Sequence, residues 1–148
     1  MSVLRILLVA SVLSISTPAF GGPADDANAV IDQWAALFSA NDLAAFLNLY
    51  SADAVVLGTV SPTIAESTDA IRAYFSRLPG SGSKVVIGER RTIVLNDQAV
   101  TCVGFYDFTI IRDGQPVPTP ARFTFLVVKR DGRWLIAHHH SSSRPKAQ

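Results

Sequence analysis

Four long strand-type segments fill the chain from Lys84 onward, and they constrain the fold more than any other feature. They read KVVIGERRTIVL, VTCVGFYDFTIIR, ARFTFLVVKR and RWLIAHHHS, and each is rich in the β-branched and aromatic residues that favour extended structure. Turn signals separate them: Asn96-Asp97, a loop with Asp113-Gly114 and three prolines, and Asp131-Gly132. Long consecutive strands joined in this way predict a strongly curved antiparallel sheet.

Three helical patterns come before these strands. Apolar residues recur at helical spacing from Val30 to Phe38, after the acidic pair Asp25-Asp26, which suits the start of a helix. Helical spacing returns in residues 43–50 and 71–78, each time after residues that cap helices well. The β-branched stretch AVVLGTV, between these last two patterns, predicts a strand.

This order of elements is typical of the α+β class. We expect a cone-shaped barrel, in which the curved antiparallel sheet packs against three N-terminal helices. The helices would cover part of the concave face, and the uncovered part would form a pocket open at one end.

The first 22 residues have the parts of a secretory signal peptide. Arg5 gives a basic start, an apolar run covers residues 6–15, and a small-residue segment ends at Ala19. The apolar run is shorter than the about 20 residues of a membrane span. We therefore predict a signal peptide over 1–22, one domain over 23–142, a C-terminal tail over 143–148, and a secreted or periplasmic location.

The charge balance argues against two classes of partner. The chain has 13 Lys and Arg against 12 Asp and Glu, and Arg5 is the one charged residue of the predicted signal peptide. The remaining domain is neutral, so neither nucleic acid nor a membrane surface is an expected partner after signal cleavage. Cys102 is the single cysteine and lies in an apolar strand pattern, which predicts a buried thiol and excludes an intrachain disulfide.

Several motifs together resemble a known superfamily. They are DAVVLGTVSP at 53–62, IRAYF at 71–75, GFYDF at 104–108, ARFTF at 121–125 and, most specifically, RDGRWLIAHHHSSSRP at 130–145. With the Trp34 helix, they are similar to the nuclear-transport-factor-two-like superfamily, also called SnoaL-like or cystatin-like. Within it the chain resembles the association domain of calcium/calmodulin-dependent kinase II and its stand-alone bacterial relatives.

The resemblance implies a cone-shaped α+β barrel, dimeric or higher, with a pocket between sheet and helices. It does not decide the function, because this fold hosts isomerases, dehydratases, transport factors and oligomerisation hubs. The arginines of the kinase hub's pocket correspond to Asp107, Phe125 and Ser141 here, so its carboxylate-binding role is not transferred. No nucleotide-binding glycine loop or redox cysteine pair is visible, and no cofactor is predicted.

A candidate acid–base pair comes from strand alternation. In the last strand, His138 and His140 share one face, and His139 lies on the other with Leu135, Ala137 and Ser141. An unpaired Asp107 carboxylate on an apolar face would cost free energy, and a neighbouring His139 would lower that cost. The two side chains could then act together as an acid–base pair in a proton transfer. The alternative is a structural ion pair between Asp107 and Arg122.

Other assignments of these residues stay open. Asp53 could act as the base instead of Asp107, or could serve only local hydrogen bonds. With either base, a tyrosine (Tyr50, Tyr74 or Tyr106) could replace His139 as the partner. His138 and His140 could begin a zinc site, but it would need Asp107 or Glu66 as well. We predict no metal.

The function that agrees best with these patterns is an exported protein that binds a small molecule in an apolar pocket, as a homodimer or higher oligomer. The expected ligand contacts are Trp34, Tyr74, Phe105, Phe125 and Ser141. One alternative is an isomerase or dehydratase without a cofactor, in which Asp107 and His139 are catalytic. Another is a homo-oligomerisation module like the kinase association domain.

Overall fold

The computed structural model describes residues 21–146. Residues 1–20, with nearly all of the predicted signal peptide, and the last two residues of the predicted tail lie outside the described residues. The helices are α1 (Pro23–Ala40), α2 (Leu43–Leu47) and α3 (Thr68–Tyr74). The strands are β1 (Tyr50–Leu57), β2 (Lys84–Asn96), β3 (Ala99–Arg112), β4 (Gln115–Arg130) and β5 (Arg133–Ser143). The predicted order of elements and the α+β class are confirmed.

The helix ends follow local capping chemistry. Asn41 closes α1 in the left-handed region, with φ of 59°. The Asp42 carboxylate accepts a hydrogen bond from the Ala45 N–H at 3.0 Å, and the Ser67 hydroxyl accepts one from the Ala70 N–H at 3.2 Å. These caps set where α2 and α3 begin, and so place both helices against the sheet.

The five strands form one sheet in the order β1-β5-β4-β3-β2. Strands β2 to β5 pair antiparallel with their chain neighbours, as predicted. Strand β1 differs, because it lies parallel to β5, so the sheet is mixed. The predicted barrel is not closed, because β1 and β2 are the two edge strands and do not pair with each other. No tight turn sets the direction of β1: the chain reaches its partner only after α3 and three further strands, and such a long connection permits parallel pairing.

The three prolines after Asp113-Gly114 lie inside β4 rather than in a loop. Pro116, Pro118 and Pro120 pair with β3, while β5 pairs only with Ala121 and the residues after it. The first part of β4 therefore has one neighbouring strand, and a proline without an N–H is tolerated on such an edge.

The core lies between the helices and the sheet face that packs against them, which we call the inner face; the opposite side is the outer face. Trp34 of α1 is 1% exposed and packs on Phe46, Tyr106 and Phe125 with ring centroids 5.3, 5.9 and 5.4 Å away. Arg90 of β2 forms an ion pair with Asp32 of α1 at 2.5 Å.

Within residues 21–146, no helix has both the length and the apolar character needed to cross a bilayer.

Candidate functional site

A cavity of about 460 Å³ lies between the helices and the inner face. Helix α3 and residues 58–60, after β1, form one wall, and β3 and β5 form the other. Its apolar lining consists largely of Trp34, Phe38, Phe75, Leu78, Phe108 and Ile110. Its uncharged polar lining includes the hydroxyl groups of Thr59, Tyr74, Tyr106 and Ser141 and the imidazole of His139.

A bulge in β5 decides which histidine faces the cavity. Leu126 of β4 pairs with His138, but the next residue, Val127, pairs with Ile136, so Ala137 is an extra residue in β5. Ile136 and His139 consequently lie on the same, inner face, three residues apart, and are 0% and 3% exposed. His139 and Ser141 share a face as predicted, but Ile136 joins them instead of Leu135 or Ala137.

His139 makes hydrogen bonds through both of its ring nitrogens. Its Nδ1 lies 3.1 Å from the Tyr50 hydroxyl oxygen, and its Nε2 lies 3.3 Å from the Tyr106 hydroxyl oxygen. The Tyr50 oxygen also accepts a hydrogen bond from the Trp34 indole N–H at 2.8 Å. The ring stacks on Phe125, with 4.1 Å between ring centroids. His139 is thus enclosed by aromatic side chains from β1, β3, β4 and α1.

The donors and acceptors determine the tautomer of His139. The Trp34 indole can only donate, so the Tyr50 oxygen accepts from it and the Tyr50 hydrogen points to Nδ1. Among residues 21–146, Nδ1 is the acceptor within hydrogen-bond distance of this buried hydroxyl, and a buried hydrogen without an acceptor is costly. Nδ1 is therefore assigned as unprotonated, and the ring carries its hydrogen on Nε2 and donates to Tyr106. Burial, with a smaller contribution from His138 and His140, lowers the pKa of His139 from 6.5 to about 3, so the ring is neutral at physiological pH.

The two tyrosines that contact His139 are protonated as well. Burial raises the pKa of Tyr50 well above 10.0, although the Trp34 hydrogen bond partly opposes this. Burial likewise raises the pKa of Tyr106, and a hydrogen bond with Ser141 opposes it. The Ser141 hydroxyl also makes a short hydrogen bond with the Thr59 hydroxyl. At neutral pH these hydroxyl groups and the imidazole of His139 therefore form an uncharged network of donors and acceptors.

Tyr74 of α3 forms the opposite wall and depends on a glycine. A Cβ atom at Gly58 would lie 1.9 Å from the Tyr74 ring, which is possible only if the ring moved. The Tyr74 hydroxyl also contacts the backbone of Thr59 and Val60, and burial raises its pKa. Gly58 is thus required for the shape of this wall.

Trp34, Tyr74, Ser141 and His139 line the cavity together, and Phe125 lies directly beneath His139. Phe105, expected to be a ligand contact, instead lies on the outer face, where its ring packs under the Arg144 guanidinium at 4.0 Å. The reason is strand alternation: Tyr106 points inward, so its neighbours point outward.

Asp107 is also on the outer face and is exposed, so the structure does not bring it together with His139. The predicted pairing of these two side chains was wrong for this geometric reason. The alternative ion pair with Arg122 is not formed either: in β4, Arg122 lies opposite Phe105 and donates to the Ser142 hydroxyl at 2.9 Å. Within residues 21–146, the three ion pairs do not include Asp107.

The remaining candidates lie away from the cavity. Asp53 of β1 is 69% exposed in its side chain and faces Arg130 at 3.7 Å. Its hydrogen bond with Ser51, and to a lesser extent Arg130, lowers its pKa. His138 contacts the Val55 carbonyl through Nδ1 at 3.1 Å. In the described part of the chain, no three His, Cys, Asp or Glu side chains are placed to share a metal ion.

Sequence reasoning missed several groups at the cavity. Three of them are Thr59, Arg77 and Arg112, and the last two are the cationic residues of the cavity lining. They belong to a loop, a turn and a strand end, whose sequences carry no pattern typical of a site. Tyr50, one of the tyrosines considered as a partner for the base, is buried, and its hydroxyl is held by the Trp34 indole. Cys102 is buried, as predicted, and burial raises the pKa of its thiol.

Comparisons with known proteins agree with this architecture. The family model for the SnoaL-like domain matches residues 27–145. A structure from Xanthomonas campestris, proposed to be a calcium/calmodulin dependent protein kinase II association domain, is 33% identical, with a TM-score of 0.78, and the match covers 95% of this chain and 100% of that one. A search of curated proteins gave no significant match.

Two further solved structures are similar in fold alone. A ketosteroid isomerase-like protein from Erwinia carotovora atroseptica is 18% identical, with a TM-score of 0.71, and the match covers 86% of this chain and 100% of that one. A protein with a cystatin-like fold from Caulobacter vibrioides is 20% identical, with a TM-score of 0.72, over 84% of this chain and 92% of that one. They support the mixed α+β architecture and carry no assignment of activity.

Proposed function

The chain belongs to the SnoaL-like domain family, and we propose that it binds a small, largely apolar molecule in the cavity between the helices and the inner face. The observation that carries this proposal is the cavity itself, with a volume of about 460 Å³ and an aromatic lining in which a few polar groups converge. Small-molecule sites have about this size and this composition.

The charges around the cavity limit the kind of ligand. Arg77 and Arg112 are the charged side chains in its described lining, and no carboxylate of residues 21–146 is among the lining groups. A cationic ligand would therefore have no opposite charge to pair with and would meet two guanidinium groups. We propose a neutral or anionic ligand.

The same observations favour binding over an Asp/His acid–base mechanism. A general base must reach the proton that it removes. Asp107 and Asp53 are exposed away from the cavity, and both nitrogens of His139 are already engaged with tyrosines. The isomerase or dehydratase alternative would have to use another group.

Binding is tested with 2-ethylnaphthalene, an apolar probe that fits the cavity by size, using saturation-transfer NMR. We expect a signal with the wild type and a loss of at least tenfold in affinity with Gly58→Ala, because the new Cβ displaces Tyr74. Gly22→Ala is the matched control, since a Cβ there meets nothing within 4 Å. Absence of binding by the wild type, or equal binding by Gly58→Ala, would contradict the proposal.

A second candidate function, self-association, is favoured by the outer face. Val86, Ile93 and Val103 are 68%, 51% and 37% exposed there. An apolar face on paired strands is suited to a two-fold contact with a second copy. Light scattering should show a dimer or larger species that Val86→Lys dissociates, whereas Asp53→Lys, on the exposed edge strand, leaves the mass unchanged. A monomeric wild type would contradict this candidate.

We further propose export, which rests on the composition of the first 22 residues. The intact mass of the protein purified from the secreted and periplasmic fractions should correspond to loss of the first 19 to 23 residues. An intact Met1 on protein recovered from the cytoplasm alone would contradict it.

A further inference from the structure

The hydrogen-bonded groups along the inner face form a chain that ends at the cavity. It begins at the Trp34 indole and passes through Tyr50 and His139 to Tyr106. The hydroxyls of Tyr106, Ser141 and Thr59, which we call the hydroxyl row, continue it to the cavity wall. Its far end is closed, because the indole can donate but cannot accept.

One donor hydrogen of this hydrogen-bonded series has no acceptor within the series. Six groups each carry one hydrogen: one indole, one neutral imidazole and four hydroxyls. Only five contacts join them in series. The indole hydrogen must point to the Tyr50 oxygen. Each following hydrogen in this hydrogen-bonded series therefore points to the next group, and the hydrogen that is left over belongs to the hydroxyl row.

The surplus does not depend on the contact between Tyr106 and Ser141. Without it, the chain would end at Tyr106 with four hydrogens and three contacts, and Ser141 with Thr59 would have two hydrogens and one contact. Among the hydrogen bonds formed within residues 21–146, none joins these three hydroxyls to a backbone carbonyl. At least one hydroxyl hydrogen therefore faces the cavity.

We propose that the hydroxyl row binds an acceptor oxygen of the ligand, so that the ligand is an apolar molecule with a carbonyl-type oxygen at one end. His139 is a positioning residue: its Nε2–H donates to the Tyr106 oxygen, so the Tyr106 hydrogen points away from the imidazole, toward Ser141 and the cavity. This inference rests on the proposed function, since it concerns the same cavity. It adds the functional group by which a ligand is selected, because a buried donor left without an acceptor is costly.

The test compares two probes of the same skeleton, 2-acetylnaphthalene and 2-ethylnaphthalene, by isothermal titration calorimetry. The first has a carbonyl oxygen and the second has none. A hydrogen bond from a neutral hydroxyl is expected to favour the ketone by about tenfold in wild-type affinity. Asp107→Asn, on the outer face, is the matched control and should keep the same ratio of affinities.

Removal of the whole hydroxyl row should abolish the preference. Tyr106→Phe alone leaves Ser141 and Thr59 with two hydrogens and one contact, so the variant is the triple substitution Tyr106→Phe/Ser141→Ala/Thr59→Val, in which the ratio of the two affinities should fall toward one. If the triple variant does not fold, as judged by its circular dichroism, the carbonyl carbon resonance of 2-acetylnaphthalene bound to the wild type gives the answer, because a hydrogen bond to the oxygen moves it downfield. An undiminished ratio in the folded triple variant, or an unshifted carbonyl resonance in the wild-type complex, would overturn the proposal.

The positioning role of His139 has its own readout. His139→Gln keeps an N–H group that can reach Tyr106 and should keep most of the preference for the ketone. His139→Leu keeps the bulk without the donor that orients the Tyr106 hydroxyl, so the ratio should fall in part, while the hydrogen left over in the hydroxyl row keeps some of the preference. If His139→Leu retained the wild-type ratio, the hydroxyl row would select the ligand without His139, and the positioning role would be wrong.

The outcomes separate this inference from the function on which it rests. Equal binding of both probes by the wild type would overturn the acceptor preference and leave the apolar binding site standing. Binding of neither probe would overturn both. Preference for the ketone that disappears in the hydroxyl-row variants would support both.

Discussion

Polar side chains of the same kind have opposite environments on the two faces of the sheet. On the inner face, His139 is 3% exposed and its imidazole is joined to Tyr50 and Tyr106. On the outer face, His140 and Asp107 are exposed. Neighbours in the sequence thus differ fully in environment, because successive side chains of a strand point to opposite sides. A residue type suited to chemistry is informative only after its face is known.

The largest difference should appear between two phenylalanines. Phe125 on the inner face is 0% exposed and packs on Trp34 and His139, so Phe125→Ala should lower the free energy of unfolding by about 3–5 kcal/mol. Phe105 on the outer face packs on one side against Arg144, so Phe105→Ala should cost about 1 kcal/mol. Urea denaturation of both variants gives the two values. Equal costs would show that the outer face is also covered in solution.

A pH effect of intermediate size should separate the inner face from the outer face. Because the pKa of His139 falls from 6.5 in the unfolded chain to about 3 in the fold, the unfolded state takes up a proton first as the pH falls. The free energy of unfolding should therefore decrease between about pH 6.5 and pH 3, with a total contribution on the order of 4 kcal/mol. The groups that face the ring, Tyr50, Tyr106, Trp34 and Phe125, carry no charge in this range.

The measurement is the difference in unfolding free energy between wild type and His139→Gln from pH 7 to pH 5, where carboxylates contribute least. That difference should become smaller as the pH falls, since the wild type alone loses the contribution of a buried neutral ring. Phe105→Ala, on the outer face, removes no titrating group, so its difference from the wild type should stay the same over this pH range. Parallel profiles for wild type and His139→Gln would show that His139 is not buried in solution.

The smallest effect is expected at Asp107. Because its carboxylate is exposed and outside the three ion pairs of residues 21–146, Asp107→Asn should change the free energy of unfolding by less than about 0.5 kcal/mol. It should also leave the affinity for 2-acetylnaphthalene unchanged, as calorimetry can measure. A loss of affinity here would return Asp107 to the binding site and break the distinction between the faces.

Much of the fold could be predicted because its signals are local. The spacing of apolar residues indicated α1 through Trp34 and Phe38, and Asp131-Gly132 indicated the turn between β4 and β5, where φ is 49° and 79°. The caps Asp42 and Ser67 marked the starts of two helices. Each of these features depends on residues close together in the chain.

The candidate site could be predicted only in part. Trp34, Tyr74, Ser141 and His139 were placed at the cavity, whereas Phe105 and Asp107 were assigned to the wrong face. Assigning a strand's two faces requires knowing which one meets the helices, and in β3 both faces carry aromatic residues, Phe105 on one and Tyr106 on the other. The amino-acid pattern alone therefore left the choice open.

The sequence by itself determined the helices, the strands and their order, because capping, turn chemistry and apolar spacing act over a few residues. Tertiary structure alone decided that β1 lies parallel to β5 and that the bulge at Ala137 puts His139, together with Ile136, on the inner face. Unbroken alternation from Ile136 would have turned His138 and His140 inward instead. The bulge depends on pairing with β4 and on the tyrosines of β1 and β3 that receive the ring, and these contacts join residues far apart in the chain.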